Sequence, residues 1–123
     1  MRPPPMLGRP PPETRMDLPK SVAPLIEFRD EGPVTTKLLE TDRSIVTLVC
    51  LRPGQALTPF THRRREAIVY CLQGGVRVTP GEGPTELNAG DMAFYDGSAK
   101  AGPGNYGDED AAFLVTLVRK KGD

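Results

Sequence analysis

From residue 25 onward, short apolar runs alternate with clusters of turn-forming residues. The runs at 25–28, 34–39, 45–51, 67–73, 76–79, 85–87, 92–95 and 111–118 read as strands, and their spacing of roughly ten residues is that of an all-β sandwich or barrel. Between them stand Arg52-Pro53-Gly54, Gln73-Gly74-Gly75, a Pro/Gly-rich loop at 80–84, Asn88-Ala89-Gly90-Asp91 and Gly102-Pro103-Gly104-Asn105. No stretch of about twelve residues keeps the 3.6-residue period of a helix, so little or no helix is expected. The Gly74-Gly75 pair predicts a tight hairpin, because glycine tolerates the two positive φ angles such a turn needs. The loop at 80–84 predicts a second hairpin.

Upstream, the composition changes. Residues 1–15 carry Pro3, Pro4, Pro5, Pro10, Pro11 and Pro12, interleaved with Arg2, Arg9 and Arg15. Such a segment has little apolar surface to bury and few backbone donors, and is expected to be a flexible arm preceding one domain at 16–123. The 123 residues leave room for a single core, so any site lies within that core or between copies of the chain. Sixteen Lys plus Arg against sixteen Asp plus Glu give no basic footprint for nucleic acid or an anionic membrane. The apolar runs fall far short of the roughly 20 residues needed to cross a bilayer, and no secretory leader is recognisable, which makes a cytoplasmic location the expectation. Cys50 and Cys71 each lie within an apolar run and read as small buried hydrophobes rather than as a disulfide.

Two blocks between residues 53 and 105 carry a family pattern. The first runs from Pro53-Gly54 through Phe60, His62 and Glu66-Ala67 to Gly74; the second runs from Gly90-Asp91 through Met92-Ala93-Phe94-Tyr95 to Ala101 and Asn105. Together they resemble the two motifs of the cupin superfamily. That resemblance implies a double-stranded β-helix, a jelly-roll barrel, whose interior usually holds a divalent metal on histidines and a carboxylate. Carried over position by position, those ligands become Phe60, His62, Ala67 and Ala101, with Glu66 one residue from the carboxylate position. His62 is the sole histidine, so the three-histidine site of the family cannot be built. No metal or other cofactor is expected; the alternative is an atypical divalent centre drawing on His62, Glu66, Cys71 and Asp96, and it requires Glu66 to face inward.

With ligands replaced by apolar side chains, the barrel interior becomes a cavity suited to a small organic molecule. Phe60, Arg64, Val69, Cys71, Ala101 and Tyr106 are the candidate substrate contacts. Arg64, the member of the Arg63-Arg64-Arg65 run that shares alternation with His62, is the candidate for an anionic group. His62, whose pKa falls near neutrality, is the candidate acid or base, with Tyr95 and Lys100 as catalytic partners. Three functions stay open: a metal-independent isomerase, cyclase or lyase; a non-catalytic small-molecule-binding or sensor module; and an atypical metal-dependent enzyme. Tyr70 and Leu72 alternate away from Val69 and Cys71, so a further layer or a homodimer interface is expected to cover them, with a strand at 25–28 adding to the partner's sheet.

Overall fold

The structure, a computed structural model, describes residues 21–79 and 83–122; the proposed arm at 1–15 lies outside them. The described residues form seven strands, β1 (Val34–Glu40), β2 (Ser44–Leu51), β3 (Arg65–Gln73), β4 (Gly75–Val78), β5 (Thr85–Asn88), β6 (Met92–Asp96) and β7 (Ala111–Arg119). Five of them make an antiparallel sheet in the order β1-β2-β7-β3-β6, while β4 and β5 pair as a separate hairpin. The chain is all-β, and the helical turn among the described residues is a 3-10 turn at Ala23–Leu25.

Alternation along β3 sets the two faces. Ala67, Val69 and Cys71 are buried, whereas Ile68, Tyr70 and Leu72 turn to the other side. The inward residues join Val49, Leu51, Phe113, Val115 and Leu117 of the large sheet with Val76, Val78 and Leu87 of the small one in a single core. The core therefore lies between the two layers, as in a closed jelly roll.

The outer face of the large sheet carries a second cluster, Leu48, Cys50 and Ala112, covered by Val22, Ile26 and Phe28 of the same chain. This corrects the strand expected at 25–28. Pro24 and the 3-10 turn break the extended pattern, and the segment contributes apolar side chains to its own sheet. Leu72 is covered as the alternation demands, but Tyr70 stays at the surface beside Met92, its register partner on the edge strand β6.

The Gly74-Gly75 hairpin is corrected as well. Of the pair, Gly74 alone has positive φ, at 71°, and Gly75 already belongs to β4, which pairs with β5 and not with β3. Gly74 is a switch between layers, packed so closely that a Cβ would strike the Asp110 carbonyl. The second expected hairpin has its two strands paired antiparallel, with Val78 opposite Thr85, while residues 80–82 between them lie outside those described. Among the described residues no helix is long and apolar enough to cross a membrane.

Candidate functional site

The segment between β2 and β3 lies along the segment that follows β6. Leu57 N–H donates to Pro103 C=O (2.9 Å), Phe60 and Ala101 exchange backbone bonds (2.9 and 3.1 Å), and His62 N–H donates to Gly97 C=O (2.6 Å). These bonds fix Phe60 and His62 on one side of their strand, with ring centroids 5.0 Å apart and edge to face at 74°. Opposite them, Thr35 of β1, Thr47 and Val49 of β2, and Val115 and Leu117 of β7 complete a cavity of about 230 Å³ together with Leu57. Its walls are apolar apart from two hydroxyls and one imidazole.

Burial, and secondarily the nearby positive charge of Arg65, hold the His62 pKa below its ordinary value. Both causes favour the neutral form of the imidazole.

The four positions that correspond to cupin metal ligands all face inward. Phe60 and His62 line the cavity, Ala67 belongs to the core, and Ala101 is buried opposite Phe60. Glu66 points the other way, paired across the strands with Asp96. Asp96 in turn holds Lys120 Nζ at 2.7 Å and the Ser98 N–H at 2.8 Å, which draw its pKa down to about 2. Cys71 sits deep in the core, its thiol directed at the Gln73 and Gly74 carbonyls and its pKa raised by burial. The alternative metal set of His62, Glu66, Cys71 and Asp96 is thus not assembled, because strand alternation sends two of its members outward. Among the described residues no three His, Cys, Asp or Glu side chains converge. One imidazole flanked by phenyl and methyl groups does not fit a divalent cation.

The other candidates are scattered. Val69 is fully buried beside Val115, behind the cavity wall. Lys100 is exposed and does not line the cavity. Tyr106 is exposed too, stacked on the Arg77 guanidinium at 4.7 Å in a separate cleft with Glu86 and Asn88. Asn105 is structural: its amide donates to the Leu51 and Glu109 carbonyls (3.0 and 2.8 Å). Tyr95 faces inward opposite Ala67, buried, and its hydroxyl has no hydrogen-bond partner among the described residues.

Arg64 is displaced from the role that simple alternation gave it. Arg65 N–H donates to His62 C=O (3.0 Å), closing a turn over Arg63 and Arg64, and alternation does not carry through a turn. Arg64 is exposed, and it is Arg65 that shares the inward side of Ala67. Pairing alone reveals this, and it also reveals Thr35 and Thr47, which meet the cavity because β1 and β2 register Thr35 with Val49.

A two-layered β-barrel with this pair of loop segments has the architecture of a cupin, and the sequence agrees. The cupin domain family matches residues 47–117, more than half of the chain, which therefore belongs to that family. A search of curated proteins finds no match. Among solved structures, the chain is similar to a protein of Thermus thermophilus at 28% identity and a TM-score of 0.77, covering 81% of this chain and 95% of the other. It is likewise similar to an uncharacterized conserved protein with a double-stranded β-helix domain from Klebsiella pneumoniae (25% identity, TM-score 0.74, 90% and 95% covered). A cupin-superfamily sugar phosphate isomerase of Silicibacter pomeroyi shares the fold at 24% identity and a TM-score of 0.64, over 73% of this chain and 61% of that one.

Proposed function

We propose that this cupin binds a small, predominantly apolar organic molecule in the cavity beneath Phe60 and acts on it by proton transfer through His62, as a metal-independent isomerase, cyclase or lyase. The observation that carries this reading is the neutral imidazole of His62, alone among the described residues as a titratable side chain lining that cavity, and held there by the Gly97 carbonyl and the Phe60 ring. An imidazole whose pKa is pulled below its usual value is unprotonated at working pH and ready to accept a proton. The walls are apolar, and the Thr35 and Thr47 hydroxyls supply the polar contacts that orient a substrate.

A second reading, a binding or sensor module, is favoured by the same lining, since among the described residues no second titratable group joins His62 there. One experiment separates the two. Fragments are screened by NMR on the His62 ring resonances, and those that bind are followed in deuterium oxide for exchange of an acidic C–H. Exchange that is lost in His62→Ala supports proton transfer. Binding without exchange supports the sensor, and no binding to wild type sinks both.

A further inference from the structure

Arg65 occupies an unusual position for a charged residue. It begins β3 on the inward side, two residues before the buried Ala67, and its Nη1 is buried without a hydrogen-bond partner among the described residues. Opposite it in the sheet stands not a carboxylate but Arg119, a like-charge pairing that a sheet disfavours. A guanidinium nitrogen withdrawn from water and left unpaired is costly unless something else satisfies it.

Its surroundings say where that partner must sit. Gly97 N–H bonds to Arg65 C=O (2.8 Å) and Ala67 registers with Tyr95, so Arg65 and Tyr95 are diagonal neighbours on the inner face of β3 and β6. The Tyr95 hydroxyl is the other buried side-chain atom among the described residues with no partner. Ala67 in turn registers with Leu117, which forms part of the cavity wall opposite His62. The charge of Arg65 is felt both by His62 on one side and by Glu40, at the end of β1, on the other. Neither Arg65 nor Tyr95 lines the cavity itself; both stand next to it, beside the Ala67–Leu117 pair at its edge. Glu40 bonds to Lys37 at 2.9 Å and leaves Arg65 Nη1 without a hydrogen-bond partner among the described residues.

We propose that Arg65 and Tyr95 form an oxyanion-binding rim beside the His62 cavity, and that the ligand is a small apolar molecule bearing a carboxylate. The planar guanidinium offers parallel N–H donors matched to a carboxylate, the phenol adds a third, and the apolar walls take the rest of the molecule. With Glu40 and Lys37 offsetting one another, the Arg65 guanidinium beside a neutral imidazole balances a single negative charge. A phosphate dianion would leave net charge facing Leu117 and Phe60. This inference rests on the reading of the cavity as a binding site and adds the ligand's charge to it.

The test uses benzoate, its neutral isostere benzamide, and phenyl phosphate, each titrated by NMR into wild type, Arg65→Gln, Arg65→Lys, Tyr95→Phe and the surface control Arg64→Gln. Loss of one charge-assisted contact is expected to weaken benzoate about tenfold or more in Arg65→Gln, with partial recovery in Arg65→Lys. Benzamide is expected to bind wild type more weakly than benzoate and to be insensitive to Arg65→Gln. Equal benzoate affinity in wild type and Arg65→Gln, equal affinity of wild type for benzoate and benzamide, or a preference for phenyl phosphate overturns the proposal. If benzamide perturbs His62 while benzoate gains nothing, the cavity stands and the rim falls; if no probe perturbs His62, both fall. Arg65→Lys keeps the charge at this strand end and serves if Arg65→Gln does not fold.

Discussion

His62 and Gly97 are locked together through their backbones: the His62 N–H donates to the Gly97 carbonyl at 2.6 Å, and a Cβ on Gly97 would collide with the His62 and Arg65 carbonyls. The absence of a side chain at residue 97 is thus what lets the loop carrying the imidazole lie against the end of β6. Gly97→Ala must push that loop away from rigid backbone, and overpacking of this kind costs about 1–3 kcal/mol. The expected result in chemical denaturation is a lower midpoint with an unchanged slope, together with shifted His62 ring resonances. Wild-type resonances and stability in Gly97→Ala would show that the contact does not set the position of His62.

The depressed pKa of His62 has a definite sign in stability. Because burial and Arg65 disfavour the charged imidazole in the folded chain, the unfolded chain takes up its proton first as pH falls. The contribution is full above the ordinary histidine value of about 6.5 and is lost progressively below it. Comparing melting temperatures of wild type and His62→Gln from mild alkali to mild acid isolates this group from the carboxylates. Wild type is expected to lose ground to the variant only on the acid side, and a constant difference across the range would refute the assignment.

Arg65→Gln removes one of the two causes of that shift, the smaller one. The His62 midpoint, followed by NMR titration, is expected to move upward toward the ordinary value without reaching it, since burial remains. A downward move would mean that Arg65 does not act on His62 through its charge.

The strands were legible in the sequence because each is an alternating run closed by glycine, proline or asparagine, as β3 shows with Ala67, Val69 and Cys71 inward. The 25–28 run misled because its apolar residues serve a different purpose: Ile26 and Phe28 cover Cys50 and Leu48 from outside, which needs apolar side chains but no strand pairing. Of the candidate cavity, Phe60 and His62 were legible where the family motif placed them. Arg65 was not, since a single hydrogen-bonded turn between His62 and β3 decides which arginine faces inward. Thr35 and Thr47 were out of reach for another reason, because their place depends on the register of β1 with β2 and of β2 with β7.

Cys50 and Cys71 lie on opposite faces of the large sheet, one in each apolar cluster, and both thiol pKa values are raised by burial. A thiol that is both buried and protonated is a poor nucleophile. With a disulfide-exchange reagent at neutral pH, neither is expected to react in the folded chain and both are expected to react on unfolding. Fast reaction of Cys71 alone in folded protein would mean that the barrel interior is open to solvent at that depth.

The last prediction concerns the positions that metal ligands hold in other cupins. Phe60, His62, Ala67 and Ala101 keep the inward geometry while three of the four have lost donor atoms. If side-chain chemistry alone accounts for the difference, restoring it restores binding. The triple variant Phe60→His, Ala67→Glu and Ala101→His then supplies three imidazoles and a carboxylate from strands already in register. Elemental analysis after incubation with iron, manganese, nickel or zinc and removal of the excess is expected to give near-stoichiometric metal in the triple variant and little in wild type. Tight metal in wild type that disappears in His62→Ala would overturn the reading of this cavity as apolar and would bring the metal-dependent alternative to the front. A folded triple variant that holds no metal would instead show that the backbone around Phe60 and Ala101 has diverged along with its side chains.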